Sequence, residues 1–192
     1  MSTWLFVRHA ESVANAEGWL SGHLDVPLSP RGVAQAEALR ERLAGVPIDR
    51  CLSSDLQRAT ETLRIALGGR QVPWARSAQL RERHMGVLER MDKARAKAGP
   101  HWAGLLAWSE GPPGGETVRD GAVRVLGQLA QVPPIDGTTL VLGHGSALKA
   151  VWGLLDGVAP DQVGRLVFHN TQVEQREVAP GRFAHVLAAI RP

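Results

Sequence analysis

The chain has 192 residues, 44% hydrophobic and 21% charged, with 22 basic and 19 acidic side chains and a formal net charge of +3. That mix suits one buried globular unit over 1–192; it contains no apolar run near the ~20 residues that cross a bilayer and no dense Lys/Arg block of the kind a nucleic-acid arm carries, so neither membrane nor nucleic acid is expected as a partner. Cys51 is the one cysteine, which rules out an intrachain disulfide, and with no basic-then-apolar segment at the N-terminus a cytoplasmic location is expected.

Residues 3–9 read as a first strand, apolar from Trp4 to Val7 and ending in Arg8-His9. Ser29 and Pro30 open a helix, Ser29 as cap and Pro30 at the first helical position, with Val33, Ala36, Leu39 and Leu43 as its apolar stripe. A short strand follows at 49–53. Ser54 or Asp55 then caps a helix carrying Leu56, Ala59, Leu63 and Ala66, which Gly68-Gly69 stops. Residues 71–80 offer a third strand, weakened by Pro73, and 90–110 suggest two helical pieces broken at Gly99-Pro100. Glu116 or Thr117 opens a helix through Val132. Thr138–Gly143 is a buried strand, followed by a helix from about Ser146 to Leu155. The segments 171–178 and 182–189, parted by Pro180-Gly181, read as a closing hairpin. The alternation predicts an α/β fold: a doubly wound, largely parallel sheet flanked by helices, with a short cap insertion at about 83–114 where the alternation lapses.

In such sheets ligands bind outside the carboxyl ends of the strands. Those ends carry Arg8-His9, Ser53-Ser54 with Arg58 one turn on, a region near Glu82, and His144-Gly145. Taken singly, each is as easily a structural or solvated residue. Together they form a cationic pocket that fits a phosphate, in which a neutral histidine is a competent nucleophile and a carboxylic acid protonates the leaving alkoxide.

At this point the residues resemble a known family, the histidine phosphatase superfamily, also called phosphoglycerate mutase-like. Val7-Arg8-His9-Ala10-Glu11-Ser12 is similar to its RHG signature, with alanine at position 10 where glycine is usual. Asn15, Ser21-Gly22, Asp25, Pro27-Leu28-Ser29, Gly32 and Gln35-Ala36 follow in the family's order. Ser53 to Thr62, Leu80-Arg81-Glu82 with Gly86 and Glu89, Gly114-Gly115-Glu116-Thr117, and Val141 to Gly145 complete the series over nearly the whole chain. The resemblance implies His9 as the phosphorylated nucleophile, Arg8, Arg58 and His144 as the phosphoryl clamp, Asn15 as a further donor, and Glu82 as the proton donor. It places Ser21, Gly22 and Gly145 against the substrate, Glu116-Thr117 at the rim and Asn170 near the site. Arg90 stands where many members have glycine, a departure that bears on the cap.

Two activities compete. One is a metal-independent phosphomonoesterase acting on a small phosphorylated metabolite through a phosphohistidine. The other is a phosphoglycerate mutase, favoured by the likeness of residues 82–88 and Lys93 to the mutase motif. Mutases of that kind are longer and carry an arginine pair that is missing here, and the cap cations Arg83, Arg90, Lys93, Arg95 and Lys97 are mostly spaced like a solvated helix face. A non-catalytic phospho-ligand module ranks below both, because the reactive set is complete. With no P-loop, CxxC pair or HExxH helix, and no zinc-like spacing among His23, His84, His101, His169 and His185, neither metal nor cofactor is expected. Trp102 and Trp108, in the expected cap, are candidates to shape the pocket. The oligomeric state is left open between monomer and homodimer.

Overall fold

A computed structural model describes residues 1–191. The elements run β1 (Ser2–Arg8), α1 (Val13–Ala16), α2 (Pro30–Leu43), β2 (Arg50–Ser54), α3 (Gln57–Leu67), β3 (Trp74–Ser77), α4 (Lys93–Ala98), α5 (Trp102–Leu106), α6 (Val118–Ala130), β4 (Thr138–Gly143), α7 (Gly145–Leu155), α8 (Pro160–Val163), β5 (Val173–Val178) and α9 (Arg182–Ile190). One sheet has the order β3-β2-β4-β1-β5. β1 and β2 flank β4 in parallel and β3 continues parallel from β2, while β5 closes the edge antiparallel to β1. The fold is the expected α/β sheet, mostly parallel and flanked by helices.

Both faces of the sheet are covered. Trp4, Phe6 and Val141 face one layer with Leu126, Leu148, Val151 and Phe183 of α6, α7 and α9. Leu5, Val7, Leu140 and Leu142 face the other, with Leu39, Leu43, Leu63 and Leu67 of α2 and α3. This explains why residues 4–7 of β1 and 140–142 of β4 are apolar in consecutive positions rather than alternating. All six residues of β4 are buried. Cys51 belongs to the second layer, where burial pushes its thiol up to about 12 and keeps it inert.

Three local expectations are corrected. The segment 182–189 is not the second arm of a hairpin but helix α9, whose Phe183, Val186, Leu187 and Ile190 recur at helical spacing against the first layer. The third strand shrinks to Trp74–Ser77, because Pro73 holds its start and a 3-10 turn takes Ala78–Leu80. Neither Ser54 nor Asp55 caps α3 as expected: Asp25, from a distant loop, accepts the Gln57 amide at 2.7 Å, and the two carboxylate oxygens of Asp55 instead accept from Nε and Nη2 of Arg81. Among the described residues no helix is long and apolar enough to cross a membrane.

Candidate active site

β1 ends at Arg8, and His9 is the first residue beyond it, its amide still donating to Gly143 of β4 at 2.9 Å. β4 ends at Gly143 and His144 follows as the N-cap of α7. Two adjacent parallel strands thus deliver two imidazoles side by side, with ring centroids 5.1 Å apart. Both histidines are buried, and so is Arg58 on the first turn of α3.

His9 is oriented by its own main chain. Its Nδ1 lies 2.6 Å from the Ala10 carbonyl, which can only accept, so Nδ1 carries the hydrogen and Nε2 presents a lone pair. The His9 pKa falls well below the ordinary 6.5, first through burial and then through the charges of Arg58 and Arg8. His144 is shifted the same way, by burial and then by Arg58, His9 and Arg8. Both rings are therefore neutral near pH 7.

The arginines are anchored at one end and open at the other. Arg58 donates from Nη1 to Leu24 O and from Nη2 to Gly22 O, both at 2.8 Å. Arg8 donates from Nη1 to Phe168 O. The Nε of each, with both ring nitrogens of His144, is buried and has no partner within the protein. Buried polar groups normally find partners, and leaving one unpaired costs roughly 1–3 kcal/mol. Four such atoms grouped around one histidine describe a cradle for an anion with several acceptor oxygens.

Loops complete the cradle. Asn15 accepts at Oδ1 from Ser12 N at 3.2 Å and Asn170 Nδ2 at 3.5 Å, which leaves its own amide donors to point elsewhere. Asn170 also donates to His9 O at 2.8 Å. Its loop is tied down by Lys149 Nζ, which donates to Gly164 O at 2.7 Å and Leu166 O at 2.9 Å and whose pKa burial lowers to about 8. Gly22 takes φ +47, and a Cβ there would lie 2.1 Å from Glu89 Oε1, so the turn can seat on Glu89 only as glycine. Ser21 opens that turn, its carbonyl accepting from Leu24 N at 2.7 Å. A Cβ on Gly145 would sit 3.1 Å from Arg8 Nε, so glycine lets the guanidinium approach the start of α7. Ala10 is no obstacle: among the described residues only Arg90 and Thr171 are non-glycine residues at positive φ.

Glu82 approaches from the third side. Its Oε1 accepts from Arg83 N at 2.9 Å and Ala147 N at 3.0 Å, and its Oε2 from Ser146 N at 3.0 Å. The carboxylate thus sits at the N-terminus of α7, next to His144, and its charge is felt by both Arg8 and Arg58. Among the described residues no three His, Cys, Asp or Glu side chains are grouped to hold a metal ion.

The cap differs from its expected form. It does contain two helical pieces, α4 and α5, but its cations are not one solvated face. Arg90, Arg95 and Lys97 are exposed, whereas Arg83 is fully buried and donates to Ser146 Oγ, Glu116 O and Leu105 O. Lys93 is half-buried; burial and then the charge of Arg8 lower its pKa, and its charge in turn helps to lower that of His9. Trp102 packs into the small cap cluster and Trp108 against the main core. Glu116 lies behind the site, bound to Arg124, and Thr117 caps α6.

A model of the histidine phosphatase superfamily (branch 1) matches residues 4–190. The chain belongs to the histidine phosphatase superfamily. It is 34% identical over 199 residues to the 2,3-bisphosphoglycerate-dependent phosphoglycerate mutase 2 of Gloeobacter violaceus, a match covering 97% of this chain and 91% of that one. Among solved structures, Bacillus stearothermophilus YhfR aligns at a TM-score of 0.85 and 27% identity over 94% of this chain and 93% of its own. Mycobacterial glucosyl-3-phosphoglycerate phosphatase, solved as a complex with VO3, aligns at a TM-score of 0.81 and 26% identity over 90% of this chain and 91% of its own. The proteins to which this chain is similar thus include both a phosphatase and a mutase.

Proposed function

We propose that this histidine phosphatase is a metal-independent phosphomonoesterase that works through a phosphohistidine at His9 on a small phosphorylated metabolite. The observation that carries the reading is the set of four unpartnered buried polar atoms, the Nε–H donors of Arg8 and Arg58 and the two ring nitrogens of His144, one of which donates, beside a neutral His9 whose Nε2 is free. His9 Nε2 attacks phosphorus and the ester P–O bond breaks. Its electron pair goes to the leaving oxygen, which takes a proton from Glu82. Glu82 has three of its roughly four acceptor positions filled, so the proton it gives is on Oε2. Arg8, Arg58, His144 and Asn15 hold the equatorial oxygens in both steps. Water then attacks the phosphohistidine and yields its proton to Glu82; the N–P bond breaks, its electrons return to Nε2, and inorganic phosphate departs.

Lys93 supports an anionic group on the substrate beyond the phosphoryl, and Gly22, Ser21 and Gly145 shape the floor beside it. A carboxylate-bearing phosphoester fits this single extra cation. The mutase reading is favoured by the Gloeobacter relative. This chain spans 91% of that protein, so a short cap alone does not exclude mutase chemistry. What favours hydrolysis is the cap's charge: of its five cations three are exposed and one is buried in structural bonds, which leaves Lys93 alone to face a second phosphate. The test supplies 3-phosphoglycerate with catalytic 2,3-bisphosphoglycerate and follows 2-phosphoglycerate and free phosphate together. Phosphate is the expected main product; isomerisation outrunning its release by orders of magnitude establishes the mutase.

A further inference from the structure

Glu82 is held at two ends. Its carboxylate meets α7, and its main-chain carbonyl accepts two side-chain donors from elsewhere in the fold: His23 Nε2 at 2.7 Å and Arg124 Nη2 at 3.1 Å. Arg124 lies on α6, and the same guanidinium also donates to Gln79 O at 2.8 Å and Arg81 O at 3.1 Å. Its Nε and Nη2 reach the two carboxylate oxygens of Glu116, each at 2.7 Å. Glu116 in turn accepts from His84 N at 2.9 Å, and its own amide donates to His84 O at 2.8 Å. Gln128, one turn further along α6, accepts from Ser77 Oγ at 2.8 Å. The stretch from Gln79 to His84 thus hangs on α6 through one half-buried arginine and its counter-ion.

We propose that Arg124 is a positioning residue for the carboxyl of Glu82, acting together with His23 through the Glu82 carbonyl. The proposal rests on the reading of Glu82 as proton donor. Residues 81–85 belong to neither a strand nor a helix, so no regular ladder fixes the peptide planes there. Rotation of the Glu82–Arg83 peptide swings the carboxyl and breaks the bond from Arg83 N to Oε1. Two donors on one carbonyl, arriving from α6 and from the 21–24 turn, hold that plane. A general acid must lie within hydrogen-bond reach of the oxygen it protonates, and a misplacement of about 1 Å can cost about 10²-fold.

A positioning role has a signature that a general weakening of the fold lacks. Loss of aim in the proton donor harms only esters whose leaving group needs the proton. The experiment measures kcat on phenyl phosphate and p-nitrophenyl phosphate, two esters that differ mainly in leaving-group basicity, for Arg124→Met, His23→Phe and His23→Gln. Arg124→Met is expected to lose roughly ten-fold more on phenyl phosphate than on p-nitrophenyl phosphate, with inhibition by vanadate within about two-fold of the parent. His23→Phe removes one of the two donors and shifts the ratio the same way by a smaller factor. His23→Gln keeps an N–H donor and restores it. If Arg124→Met melts early and cannot be assayed, the two His23 variants decide the matter. Equal losses on both esters, or no change in the ratio, overturn the proposal. Glu82→Gln in the same assay separates the levels. If it shows no leaving-group selectivity, the proton-donor reading falls and this inference falls with it. If it does while Arg124→Met and His23→Phe do not, only the positioning role is lost.

Discussion

At the carboxyl edge of the sheet, β1, α3 and the β4–α7 junction each bring one or two polar side chains to a common point, and strand pairing fixes their backbones. Between 83 and 114 the chain has two helices of six and five residues over a cluster of only four buried apolar residues, Met85, Leu88, Ala96 and Leu105. The first region is stiff because its residues are the last rungs of a ladder buried on both faces. The second is held by point attachments: Arg83 reaching Leu105 O, Glu89 accepting from His23 N and Met85 N, and main-chain bonds from Arg90 N to Leu20 O and Lys93 N to Gly18 O. The comparison teaches a division of labour. Under the proposed reading, the phosphoryl group is gripped by residues at the sheet's edge, and selection among substrates falls to a thin layer that a few substitutions can remodel.

Perturbing each side in turn sharpens this contrast. The largest effect is expected from Glu82→Gln, at the border between the two. It should cost alkyl phosphates about 10²–10⁴-fold in kcat and activated aryl phosphates far less, the usual range for general acid catalysis; steady-state rates on both ester classes check it. Lys93→Met removes the one cap cation whose charge is felt at both His9 and Arg8. KM for carboxylate-bearing phosphoesters should rise about ten-fold, with little change for neutral alkyl esters, because a hydrogen bond to a charged group contributes about 1.5–3 kcal/mol. A uniform rise would move Lys93 from the cap's function to the clamp's.

Acid should weaken the clamp first. The folded-state pKa values of His9 and His144 lie well below 6.5, so below that pH the unfolded chain takes up protons that the folded one refuses. The stability these rings contribute is present above pH 6.5 and is lost as pH falls toward their depressed values, at up to about 1.4 kcal/mol per pH unit for each. Melting temperature measured from pH 7.5 to about 5 should fall in the parent, and less in His144→Asn. The same depression keeps His9 nucleophilic in mild acid, which places the acid limb of kcat/KM below pH 6.5.

The smallest effect is expected in the cap backbone. Arg90 takes φ 65, a region that costs most side chains about 1–2 kcal/mol and glycine little. Arg90→Gly should therefore raise the melting temperature by roughly 2–4 °C, the shift that about 1 kcal/mol gives a chain of this size. A fall in melting temperature means that the side chain contributes more than its strained backbone costs.

Legibility followed the same line. The strands and the reactive residues at their ends were readable because an apolar run that stops at charged residues has few explanations, and Arg8, His9, Arg58, Glu82 and His144 do meet at one edge. The final helix is not legible in the same way, because Arg182–Ile190 begins after Pro180-Gly181, a turn signal that serves a hairpin and a helix start equally. The burial of Arg83 is hidden in the sequence, because its partners Leu105, Glu116 and Ser146 come from segments 22 or more residues away. Arg124 carried no local signal. Its partners at 79, 81, 82 and 116 are brought to it by the chain's return over α6.

The central claim is a covalent phosphohistidine at His9. Brief mixing with phosphate-labelled substrate, an alkaline quench and peptide mapping test it most directly. The account predicts a base-stable, acid-labile label on the peptide containing His9, absent in His9→Asn, appearing at or faster than kcat and decaying to free phosphate. Label on any other residue, or full turnover by His9→Asn, would contradict it.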